Sequence, residues 1–125
     1  MPLDLSTFNP SNAGELASAI TSDVSQMGQR WWQTNSQDVE GYIRSLAEAT
    51  VQTTTALADG RIKEAQAKMI LDMQKVAYQN TLNFGQFMTM ALAQRVIDRT
   101  FQIIGAAIMN RTGLNLFPGI TPGVG

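Results

Sequence analysis

Asn80-Thr81-Leu82-Asn83-Phe84-Gly85 decides how this chain folds. It is the one candidate interruption in a segment that begins near Ile62 and meets no strong helix stop before Gly113. Unbroken, that segment is a helix of about 50 residues, roughly 75 Å long at 1.5 Å per residue. A compact domain of this size has a radius of gyration of only about 14 Å. One continuous helix therefore predicts an elongated protein, and a break predicts a bundle. The two Asn, one Thr and one Gly cost very roughly 3 kcal/mol of helix propensity against alanine, a sum that packing routinely overrides. Ile70, Ala77, Phe84 and Ala91 keep a seven-residue repeat across the segment, flanked by Met73 and Phe87. A turn would be expected to shift that phase. The pattern thus predicts a continuous or gently bent helix over 62–112. The alternative is a four-helix bundle with elements of about 20 residues, if the chain breaks near Asn83–Gly85.

Upstream, Leu16, Ile20, Val24, Met27 and Trp31 recur at steps of four, four, three and four. That is one stripe of an amphipathic helix over 13–33, with Asn12 and Glu15 at capping-box spacing. Thr34-Asn35-Ser36 reads as a polar break. A second helix over 36–58 follows, its apolar side made of Val39, Ile43, Leu46 and Leu57 and diluted by Thr50 and Thr53. Asp59-Gly60 ends it, glycine being suited to the left-handed position just past a helix. The expected architecture is all-α: an elongated helical hairpin with an additional N-terminal helix and a long C-terminal one. Residues 13–112 form its single helical domain, between extended arms over 1–12 and 113–125. In the C-terminal arm Leu114, Leu116, Phe117, Ile120 and Val124 alternate with prolines and glycines. Disordered tails do not need such apolar residues, so the arm is expected to lie in a groove, on its own fold or on a neighbour.

Composition narrows function mainly by what it lacks. Among 125 residues there is no histidine and no cysteine, which removes disulfides, thiol nucleophiles, Cys/His zinc sites and histidine bases together. Glu40, Glu48, Glu64 and Asp72 could supply a hard metal site only by converging from separate helices. Their simpler reading is as solvated faces with i,i+4 partners such as Glu40–Arg44 and Glu64–Lys68. Asp59-Gly60-Arg61-Ile62 has the Gly and Ile of a calcium-loop centre. On that register, however, Thr55 and Leu57 fall at ligand positions and Gln66 replaces the bidentate Glu, so it reads as a helix–helix turn. No cofactor, no metal and no enzymatic activity are expected. A net charge of −1 with scattered basic residues indicates no specific nucleic acid. Met1-Pro2-Leu3-Asp4-Leu5 is unlike a signal peptide, so synthesis in the cytoplasm is expected, with incorporation in a virion or exported particle left open.

The segment from Leu92 to Met109 is apolar over most of its circumference, which predicts cover from all sides. One chain of this size is expected to struggle to provide it. The candidate assembly interface is therefore Trp31, Trp32, Phe84, Phe87, Phe101, Ile104, Gly105, Ile108 and Phe117. To these are added Arg95, Asp98 and Arg99, as ion pairs between subunits. Met69, Met73, Met88 and Met90 also suit an assembly surface. In layout, a helical hairpin with extended termini resembles secretion-needle subunits and small phage virion proteins. Trp31-Trp32 is similar to the small WxG-type secreted hairpins, except that Gln33 stands where their glycine would be. No motif is diagnostic of either group. The expected function is a structural, self-assembling subunit of a larger particle, a phage virion, tail or injection-type complex. Its partners would be other copies of itself and other protein subunits. The alternative is a membrane-active protein that breaches or crosses a bilayer through Phe84–Met109.

Overall fold

The computed structural model describes residues 4–27, 29–84 and 90–117; for 29–31, 34, 35, 83, 84 and 90 it describes the backbone alone. Four helices follow one another: α1 (Ala13–Val24), α2 (Gln29–Ala58), α3 (Glu64–Phe84) and α4 (Met90–Thr112). No strand occurs among the described residues. The chain is all-helical, as its periodicity predicts.

The long third helix does not form as one piece. α3 ends at Phe84, α4 begins at Met90, and the two pack on each other. The four-helix alternative is the one the fold adopts. Its physical reason lies in which faces are apolar. Ala67, Leu71, Tyr78 and Leu82 of α3 and Val96, Ile97, Phe101 and Ile104 of α4 are all buried, and a straight rod would leave these faces without cover. Burial at about 25 cal/mol per Å² over such side chains favours the break, in the same direction as the propensity cost of about 3 kcal/mol against a continuous helix. The seven-residue repeat misled because it follows the outside: Ile70, Ala77 and Ala91 are exposed. The accessible surface of 7043 Å² lies close to the roughly 6,600 Å² of a compact monomer of this mass, which an extended 75 Å element would exceed.

The first break also falls elsewhere. α1 stops at Val24, closed by Ser25 N–H to the Thr21 carbonyl at 3.0 Å and Met27 N–H to that of Val24 at 3.1 Å. Thr34-Asn35-Ser36 lies inside α2 instead of before it. The other end signals act as read. Asn12 Oδ1 accepts from Glu15 N–H at 2.9 Å while Glu15 Oε2 accepts from Ser11 N–H at 2.7 Å, a reciprocal cap shifted by one residue. Gly60, at φ 74°, closes α2 with Arg61 N–H on Ala56 O at 2.8 Å and Gly60 N–H on Leu57 O at 3.2 Å, the paired bonds of a Schellman turn.

α2 and α4 each pack on all three other helices, whereas α1 and α3 do not touch each other. Both arms complete the cover of α4. Leu5 is buried and Phe8 packs on the core, held where Asn110 Nδ2 donates to the carbonyls of Leu5 and Phe8 at 2.9 and 2.7 Å. Leu116 and Phe117 are buried at the other side, with Phe117 edge-on to Phe101 at 5.3 Å between centroids. The arms therefore sit on their own fold as far as Phe117. Buried threonines on α2 and α4 return their hydroxyls to their own helices: Thr50 to Leu46 O, Thr54 to Thr50 O and Thr100 to Val96 O. These three hydroxyls are thus buried with an acceptor in reach.

Candidate functional site: the outer face of α3

Five of the twelve residues expected at an assembly surface lie in the interior. Phe101, Ile104 and Ile108 are fully buried, and Gly105 and Phe117 are buried with them. Their expected role between chains is corrected to a role within one chain. The reason is that α1, α2, α3 and both arms together supply the cover that the length of the chain was expected to lack. Trp32 is half-buried against the core. The side chains of Trp31 and Phe84, and the whole of Phe87, lie outside the described residues.

The charged trio within the apolar stretch separates into three fates. Arg99 reaches across to α1, its Nε and Nη2 each 2.6 Å from Oδ2 of Asp23, and its Nη1 donates to Gln102 Oε1 at 3.2 Å. Both partners of this ion pair are about four-fifths buried. The pair expected between subunits is thus an intrachain clamp of α4 on α1. Asp98 accepts from Gln94 Nε2 at 2.9 Å, and Arg95 is exposed.

A different surface stands out. Met69, Met73 and Val76 of α3 are 64%, 67% and 54% exposed. With Ala65 and Asn80 they recur at steps of four, four, three and four, so they form one stripe. It lies on the side of the helix opposite the buried Ala67, Leu71 and Tyr78. A shallow depression of about 730 Å³ runs along it, bounded by the Lys68–Asp72 ion pair at 3.2 Å. α3 therefore has two apolar faces and uses one of them in the core. The methionine periodicity was legible in sequence, but the periodicity could not say which of the two faces would be left outside.

A second surface, about 660 Å³ and open to solvent, lies between α1 and α2. Its walls are mostly small: Gly14, Ala17, Ser18 and Thr21 on α1, and Gly41 on α2 between Glu40 and Arg44. Neither surface holds a constellation suited to catalysis. Among the described residues no three carboxylates gather closely enough to share a metal ion; Glu48 pairs with Arg44 and Asp72 with Lys68. The titratable group most displaced by its surroundings is Tyr78, which burial pushes up to about 12. Its hydroxyl meets Thr100 Oγ1 at 3.2 Å. Because the Thr100 proton is directed at Val96 O, Tyr78 is the donor in that pair. This contact joins α3 to α4 and faces no cleft. Comparison with known protein families, curated proteins and solved structures finds no match.

Proposed function

We propose that this chain is a self-assembling structural subunit that binds other copies through the outer face of α3. The observation that carries the reading is the stripe of Met69, Met73 and Val76, each more than half exposed on a helix whose opposite side already fills the core. Isolated apolar side chains on a surface are ordinary, but an aligned patch of large ones marks a contact surface. Methionine suits such a face because its unbranched thioether adapts to the partner. The particle we propose is a virion, tail or injection-type complex, on the likeness of layout to small helical virion and needle proteins.

The membrane-active alternative rests on Phe84–Met109. Most described apolar side chains of that segment lie in the chain's own core, and no described helix is long and apolar enough to cross a membrane. No feature of the fold favours it.

Native mass by light scattering, followed from low to high micromolar concentration, tests the assembly reading. The wild type is expected to gain mass with concentration and Met73→Asp to remain monomeric with unchanged helical content. A wild type that stays monomeric throughout contradicts it.

A further inference from the structure

We infer that the partner of the α3 face is the α1–α2 groove of a second copy, so that subunits join head to tail. The inference rests on the assembly reading above and adds the partner surface, the direction and the register. Its basis is complementarity between two separate surfaces of one chain. The α3 face presents large, pliable side chains; the groove is walled on α1 by small residues from Gly14 to Ser22, and on α2 by Gly41 among the longer polar Gln37, Glu40 and Arg44. An added Cβ at Gly41 would meet nothing within 4 Å, so the groove has space above its wall. Large side chains entering the groove of a second element is the general geometry of helix packing.

Charge order sets the direction. Along α3 the stripe is bordered by Lys68 then Asp72; along α2 the groove is bordered by Glu40 then Arg44. Parallel seating of α3 on the neighbour's α2 brings Lys68 to Glu40 and Asp72 to Arg44. The same pairs seated antiparallel would oppose Lys68 to Arg44 and Asp72 to Glu40. All four side chains are exposed or half-exposed, so these contacts select direction more than they add affinity. The groove and the α3 face have no lining residue in common, so one copy can present both surfaces at once. Each added copy then leaves one free face and one free groove, and such an interface closes into a ring or propagates as a filament.

The absence of cysteine makes disulfide trapping a clean test, since a bridge forms only where Cα atoms come within about 7 Å. Chains carrying Met69→Cys are mixed with chains carrying Gly41→Cys and oxidised. The expected product is the mixed disulfide, in excess over either homodimer. In the charge series, Lys68→Glu is expected to weaken association about two- to five-fold, and Glu40→Lys in the same chain to restore it. Gly41→Leu is expected to block association while the helix stays at least as stable, leucine being the better helix former. Disulfides between two Met69→Cys chains as the main product would overturn head-to-tail seating and leave the assembly reading in place, with α3 paired on α3. Association undisturbed by Gly41→Leu would overturn the groove as partner in the same way. A chain monomeric at every concentration would overturn both.

Discussion

At the scale of single residues, two polar contacts inside the fold carry measurable consequences. Asp23 and Arg99 are mostly buried, Arg99 Nε donating a hydrogen bond to the Asp23 Oδ2 that its Nη2 also approaches as an ion pair. Removing one partner leaves the other desolvated, so Arg99→Ala is expected to cost about 2 kcal/mol. In a double-mutant cycle with Asp23→Ala, urea denaturation should return a coupling well above that of the exposed Arg44–Glu48 pair; equal couplings would contradict the clamp. The sequence singled out Arg95, Asp98 and Arg99 as charges in need of partners. It could not supply the partner, because Asp23 lies 76 positions away. Tyr78 gives a pH signature. Its folded pKa is raised from 10.0 to about 12, so the neutral phenol is favoured in the fold. The stability this contributes is fully present below pH 10 and is lost as pH rises from there to about 12, at up to roughly 1.4 kcal/mol per pH unit. Tyr78→Phe should flatten the decline across that window, and an unchanged slope would contradict the buried donor.

At the scale of elements, helix ends were legible where a side chain or a glycine marks them. Asn12 with Glu15 opens α1, and Gly60 and Gly113, both at positive φ, close α2 and α4. At Gly60 an added Cβ meets no neighbour within 4 Å, so the cost of Gly60→Ala is backbone strain alone. About 1–2 kcal/mol of destabilisation is expected by thermal melting; a neutral result would contradict the left-handed closure. The place of the break between α3 and α4 was marked by Asn80–Gly85, but whether the chain would break there was not legible. Propensity and phase both bear on a local helix, whereas the break depends on the gain from laying Leu71, Tyr78 and Leu82 against Phe101 and its neighbours. That gain involves residues far apart in sequence, such as Tyr78 against Phe101, 23 positions away, and no local pattern records it. The corner after Val24 was missed for a simpler reason: the apolar stripe of Leu16, Ile20, Val24, Met27 and Trp31 runs through it.

At the scale of the whole molecule, burying α4 within one chain changes where a partner can bind. The apolar end of the chain was expected to need neighbours, but the arms and three helices cover it, and the free apolar surface moves to α3. Met69 and Met73 were noted in the sequence as suited to assembly, whereas Phe101, Ile104 and Ile108 were preferred because hydrophobicity alone cannot tell an interior from an interface. Methionine oxidation at high and low protein concentration, read residue by residue by mass spectrometry, tests the central claim most directly. Met109, 40% exposed on α4 and away from the proposed contact, serves as the internal reference. The α3 face as the assembly surface predicts that Met69 and Met73 become protected at high concentration relative to Met109. Oxidation of all three in the same ratio at every concentration would contradict it.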